Sequence, residues 1–171
     1  MSRAFVSDDA LQNSVAVVPA RAPLPEGVPN YVTPRGLVLL RDEQTALEAE
    51  RLAVETNRTA ADADRARYLS ALNQRLADLS ARLRTARLVR PNPAMQDVRF
   101  GAAVTVRSAA GQDTTYHIVG VDEADAAQGL VAFTSPLARA LTGKRAGDAA
   151  LLATPQGDEP LAVVAVAYDA P

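Results

Sequence analysis

Leu69, Leu72, Leu76, Leu79, Leu83 and Ala86 recur at alternating steps of three and four residues. That spacing lays one apolar seam along a helix and predicts a second helix to cover it. Extended backwards, the seam meets Asp62 and Arg65, where an unpaired charge would be costly to bury, so the apolar contact is expected to end near residue 62. Upstream, Leu40, Leu47 and Val54 repeat every seven residues, with Glu43 and Glu50 between them, as a weaker seam. Thr33 and Pro34 fit the cap and first position of a helix. From there to Arg90 no further proline occurs and, after Gly36, no glycine. Two seams on either side of the break "ETNRTAADADRAR" predict an antiparallel coiled-coil hairpin over 33–90 with its tip near 55–64. Each arm is expected to have on the order of 20 residues and span ~30 Å.

After Pro91 the period shortens. "AAVTVRS" and "TTYHIVGV" alternate apolar and polar positions around the glycine-containing turn "AAGQD", and "GLVAFT", "AALLAT" and "LAVVAVAY" follow as further strands, with Gly157 in another turn. Between them "SPLARALTG" reads as a short helix capped by Ser135, begun by Pro136 and ended at Gly143. The expected fold is α+β: a helical hairpin, then a small domain over 91–171. Pro19, Pro23, Pro25 and Pro29 break any periodicity over residues 1–32, which reads as an extended leader.

Composition narrows the function classes. The 171 residues carry 18 basic and 20 acidic side chains, a balance that provides no general field for free nucleic acid, so DNA binding is not expected. Residues 33–90 hold 11 basic and 8 acidic side chains against 5 and 9 over 91–171, a mildly positive arm beside an acidic domain. With no cysteine and one histidine, disulfides, thiolate metal sites and clustered imidazoles are excluded. Asp8, Asp9, Gln12 and Asn13 interrupt the opening residues and no run reaches membrane-spanning length, so a soluble cytoplasmic protein without a membrane partner is expected.

The segments "NYVTPRGLVLLRDE", "RLADLSARLRTARLV", "VRFGAAVTV", "YHIVGVDEAD" and "FTSPLARALTGKRAGD" resemble, in that order from about Tyr31 to Tyr168, the Gre transcript-cleavage factors of bacterial RNA polymerase. The resemblance implies an FKBP-like C-terminal domain that docks on the rim of the polymerase secondary channel, with Asp122, Glu123, Asp125, Ser135 and Pro136 as docking residues. It implies core RNA polymerase as the partner, with the nascent RNA met only indirectly, and a hairpin that enters the channel. It also implies that acidic tip residues, here Glu55, Asp62 or Asp64, assist a polymerase-bound Mg2+ in cleaving backtracked RNA. The isolated protein is expected to have no cofactor and no metal of its own, and to modulate polymerase without catalysing.

The tip departs from that family's pattern. Its glycine-aspartate-leucine turn and following asparagine-alanine-glutamate-tyrosine stretch are both missing from "ETNRTAADADRAR", and the first arm is shorter. Mg2+ chemistry needs hard oxygen ligands delivered to the metal, so carboxylates that do not reach it are not enough. Asp62 and Asp64 also suit a helix start, where the dipole favours negative charge, and Arg58, Arg65 and Arg67 surround them. The expected function is an elongation regulator that occupies the channel without strong cleavage stimulation. The alternative is a genuine cleavage factor working through the acidic tip.

Other motifs read more plainly. "ALTGKR" lacks the first glycine and the final Ser or Thr of a phosphate loop. As a bare string "DEAD", Asp122 to Asp125, is a solvent-exposed turn, and its family context adds the docking role. His117 is expected to be a structural or exposed strand residue, and Arg75, Arg82, Arg84 and Arg87 a solvated helix face. A prolyl isomerase would need an aromatic-lined pocket, for which the domain has Phe100, Tyr116, Phe133 and Tyr168 and no tryptophan.

Overall fold

A computed structural model of the chain describes residues 21, 23–56 and 62–168. Residues 57–61, the centre of the expected tip, and most of the expected leader lie outside that set. Helices α1 (Pro34–Thr56) and α2 (Asp62–Thr85) have 23 and 24 residues, each about 35 Å long at 1.5 Å per residue. Leu40 and Leu47 of α1 and Leu72, Leu76 and Leu79 of α2 are buried in one cluster, with Val54 and Leu83 packed against it, so both expected seams face each other. The start of the second seam differs. Tyr68 joins the cluster in place of Leu69, which is half-buried outside it. A phenol suits the thinning end of the seam, because its ring packs inward while its hydroxyl donates a hydrogen bond to Glu50, one of the acids lying between the α1 seam residues.

Thr33 caps α1: its Oγ1 accepts from the Gly36 amide at 2.9 Å and its carbonyl from the Leu37 amide at 2.9 Å. Tyr31–Val32 close the expected extended leader. They form strand β1, paired in parallel with β2 (Arg87–Leu88) where the chain leaves the hairpin. Asn30, also expected in the leader, is buried and donates to the Arg82 carbonyl at 2.8 Å. Its side chain thus satisfies one of the carbonyls left open in the last turn of α2.

The C-terminal sheet has β3 (Ala103–Ser108), β4 (Asp113–Val119), β5 (Leu130–Ala132), β6 (Ala149–Thr154) and β7 (Gly157–Ala167) in the order β5-β4-β3-β7-β6. All pairings are antiparallel except β4 with β5. Helix α3 (Pro136–Leu141) closes one face, burying Ala138 and Leu141 against Val98, Val104, Ile118 and Val163. Its start follows the expectation: the Ser135 hydroxyl accepts from the Ala138 amide at 3.1 Å and Pro136 opens the helix. Gly111 takes φ +80° in the β3–β4 turn, a region open to glycine. Strand β7 begins at Gly157, earlier than its apolar run, leaving a tight connection at Pro155 and Gln156. The Tyr168 hydroxyl ends the domain by donating to the Asp97 carbonyl at 2.6 Å and accepting from the Arg99 amide at 2.9 Å.

Candidate functional site

The expected docking turn lies under the hairpin base and faces inward. Backbone approach is close there: a β-carbon on Gly120 would sit 2.7 Å from the Tyr31 carbonyl oxygen, so only glycine lets β1 cross. Residues Val121–Glu123 then form a 3-10 turn that turns two carboxylates toward the helices. The Glu123 side chain is 4% exposed, accepts from the Thr33 hydroxyl, and meets Arg35 Nη1 at 3.3 Å. Thr33 therefore caps α1 and anchors it to the domain with the same oxygen.

Asp122 makes the second contact. Its side chain, 6% exposed, receives Arg21 Nη1 at 2.7 Å on Oδ1 and lies 3.3 Å from Arg82 Nε through Oδ2. Arg21 Nη2 reaches Glu43 Oε2 on α1 at 2.6 Å. Burial opposes the charge on the Arg21 guanidinium, but hydrogen bonds to Asp122 and Glu43 outweigh it and raise the pKa above the ordinary arginine value. Beside this ionic cluster, Tyr31 packs against Phe100 and Phe133 with centroids 5.6 Å away in each case. Aromatic contacts of this geometry add to the burial of the rings.

Several expectations are corrected by this geometry. Asp122 and Glu123 are not exposed; their partners are this chain's own Arg21, Arg82, Thr33 and Arg35. Arg82, expected on a solvated face, has a side chain only 9% exposed. Asp125 is half-buried and caps the following 3-10 turn, accepting from the Ala127 amide at 3.0 Å and from Gln128 Nε2 at 2.6 Å. Ser135 is engaged as the α3 cap, and Pro136 is exposed beside it. His117 is exposed on β4 at the mouth of a crevice of about 330 Å³ that also borders Thr33, Arg35 and Glu123. Sequence periodicity missed Arg21, Thr33 as an anchor, Glu43 and Arg82, because each acts across more than 20 residues of chain.

At the far end of the hairpin the acids are arranged differently. Glu55 lies 3.6 Å from Arg51, Asp62 2.9 Å from Arg65 and Asp64 3.6 Å from Arg67, each within its own helix. Asp62 and Asp64 occupy the first turn of α2, where the dipole favours them. Carboxylate oxygens suit Mg2+, but among the described residues no group of three or more His, Cys, Asp or Glu side chains could hold a metal.

A third surface is a cleft of about 260 Å³ between α3 and the sheet, lined by Val106, Tyr116, Leu137, Leu152 and Leu161 among others. Of the four aromatics weighed for an isomerase pocket, Tyr116 alone lines it. Phe100 and Phe133 pack at the hairpin base, and Tyr168 ties β7 to Asp97 and Arg99.

Residues 92–168 match the family model described as "Transcription elongation factor, GreA/GreB, C-term". The transcription elongation factor GreB of Neisseria meningitidis serogroup A is 35% identical over 153 residues, covering 81% of this chain and 94% of that protein. The transcription elongation factor GreA of Ralstonia nicotianae is 33% identical over 152 residues, covering 80% and 96%. The GreA/GreB structure from Nitrosomonas europaea shares 19% identity over 81% of this chain and 98% of its own, with a TM-score of 0.39. Two relatives above 30% identity, matched along nearly their whole length, join the family match over the C-terminal domain, and the chain belongs to the GreA/GreB family of transcription elongation factors.

Proposed function

We propose that this protein docks on core RNA polymerase in the cytoplasm and modulates elongation by occupying the secondary channel, without strongly stimulating cleavage of backtracked RNA. The carrying observation is the pairing of each described acid near the far end of the hairpin with an arginine of its own helix. A carboxylate held by a guanidinium must lose that partner before its oxygens can serve a metal, and metal-assisted catalysis is sensitive to small displacements. The chain itself supplies position and bulk, and polymerase supplies the chemistry. Docking through the C-terminal domain would use Pro136 and the turn at Asp125, which remain accessible. Asp122 and Glu123 support that surface from inside.

A second reading has one observation in its favour. The side chains of Asp62 and Asp64 are 91% and 74% exposed, and exposed ion pairs are weak enough to exchange partners. In that reading the tip releases its acids inside the polymerase and assists its Mg2+. A transcript-cleavage assay on stalled complexes of the host's core polymerase separates the two. The expected outcome is binding without appreciable acceleration, with Asp62→Asn and Asp64→Asn leaving the effect on elongation nearly intact. Strong stimulation that both substitutions abolish, while binding survives, would establish the second reading.

A further inference from the structure

We propose that Arg21 is a two-way ionic staple that fixes the helical hairpin against the C-terminal domain, so that a residue preceding both units sets how the hairpin is presented. The guanidinium lies between the units. One terminal nitrogen binds Asp122 of the domain at 2.7 Å and the other binds Glu43 of α1 at 2.6 Å. A planar fork with fixed donors bridges two carboxylates in a way that a single ammonium does not.

Two features make this contact more than a surface ion pair. The first is charge balance in a poorly solvated place. Asp122, Arg82 and Arg21 have side chains 6%, 9% and 21% exposed. Arg21 and Arg82 flank Asp122, and removing Arg21 leaves Asp122 Oδ1 stripped of its donor and Glu43 without its link to the domain. Asp122 Oδ2 makes no hydrogen bond within the described structure, so the carboxylate depends on Arg21 for that interaction. A buried charge deprived of its partner is a strong driving force for rearrangement.

The second feature is where the staple acts. The remaining ties between the units are at the hairpin base: Thr33 and Arg35 with Glu123, Arg82 of the last turn of α2 with Asp122, the Tyr31 aromatic contacts, and β1 passing over Gly120. Glu43 lies nine residues beyond Pro34 in α1, about 14 Å along the helix axis. Contacts clustered at one end of a rod allow it to rock, whereas a further point up its length opposes rocking. Arg21 supplies that point.

The absence of cysteine permits a direct test on the full chain. Nitroxide labels at Ala53→Cys on α1 and Gln156→Cys in the β6–β7 turn, both exposed, report the hairpin-to-domain distance by double electron–electron resonance. The expected result is one narrow distribution for the labelled parent and a distribution about twofold broader for Arg21→Gln and for Glu43→Gln, as the hairpin rocks about its base. Arg21→Lys should fall between them and the parent. Superimposable distributions for the parent and Arg21→Gln, with folding verified by circular dichroism, would overturn the proposal. Broadening in Arg21→Gln with none in Glu43→Gln would overturn the two-way staple by reducing it to a single pair. Should Arg21→Gln fail to fold, Glu43→Gln decides alone, since that side chain is 37% exposed and tolerates loss of charge.

Discussion

The two ends of the hairpin use the same chemistry, carboxylate beside guanidinium, for different purposes. At the base, Asp122 and Glu123 have side chains 6% and 4% exposed and bind partners 101 and 90 residues away in sequence. At the far end, Asp62 and Asp64 are 91% and 74% exposed and bind arginines three residues on. A local, hydrated pair costs little to break and specifies nothing beyond its own helix turn. A buried pair between distant segments is costly to leave half-made, so it selects one arrangement of the units. Burial and span, more than the presence of acids, separate a joint from a solvated surface here.

The largest expected effect breaks the joint. Asp122→Ala should lower unfolding free energy by ~3–5 kcal/mol by removing the buried anion that Arg21 and Arg82 share, while Asp62→Ala should change it by no more than ~0.5 kcal/mol. Chemical-denaturation midpoints measure both, and equal losses would end the contrast drawn between the two ends. Next comes the apolar seam, which loosens at the far end, where Val54 and Tyr68 are only partly buried. Leu79→Ala, at a fully buried position near the base, should cost ~2–5 kcal/mol, and Leu69→Ala toward the far end clearly less, by the same measurement.

A smaller effect is expected where backbone meets backbone. Gly120→Ala places a methyl 2.7 Å from the Tyr31 carbonyl, and the strand must shift, at ~1–3 kcal/mol. The φ of Gly120 is −66°, so backbone strain at that residue is not the cause. A melting temperature unchanged from the parent would mean that β1 yields freely. The smallest effect tests exposure against span. Asp113 on β4 pairs with Arg107 on β3 at 2.6 Å across the sheet, yet both side chains are about half exposed. Hydrogen bonding to Arg107 holds the Asp113 carboxyl below its ordinary 3.8. A depressed folded pKa contributes stability above 3.8 and loses it as pH falls through the folded value. Asp113→Asn should therefore remove a small acid-side loss of stability seen in thermal melts of the parent. An unchanged acid profile in that variant would show that this exposed pair contributes nothing, as at the far end of the hairpin.

Local signals made much of the fold legible. The heptad Leu40, Leu47, Val54 and the run from Leu72 to Leu83 placed both helices, because a repeated apolar face must be covered. Ser135, Pro136 and Gly143 marked α3 through cap chemistry confined to nine residues. The exchange of Tyr68 for Leu69 escaped, since positions four and three before Leu72 both lie on its side of the helix, and the apolar pattern favoured the leucine. The joint escaped altogether. Nothing around Asp122 shows that its partners are Arg21 and Arg82, because ion pairs between distant segments leave no periodic trace. The pairing at the end of the extended leader escaped for the same reason, as proline-rich composition hid a short strand whose partner, β2, follows two helices later.

The position of β7 bears on the order in which the protein matures at the ribosome. It lies between β3 and β6, yet it is synthesised after every other strand, so the sheet stays open through its middle until nearly the whole domain has emerged. The hairpin depends on contacts between neighbouring segments and can form much earlier, as low contact order favours. For a time, then, a finished hairpin precedes an unfinished sheet whose apolar interior awaits the strand that joins β6 to the rest. That interval is when this chain is most exposed to aggregation and most in need of a holding chaperone.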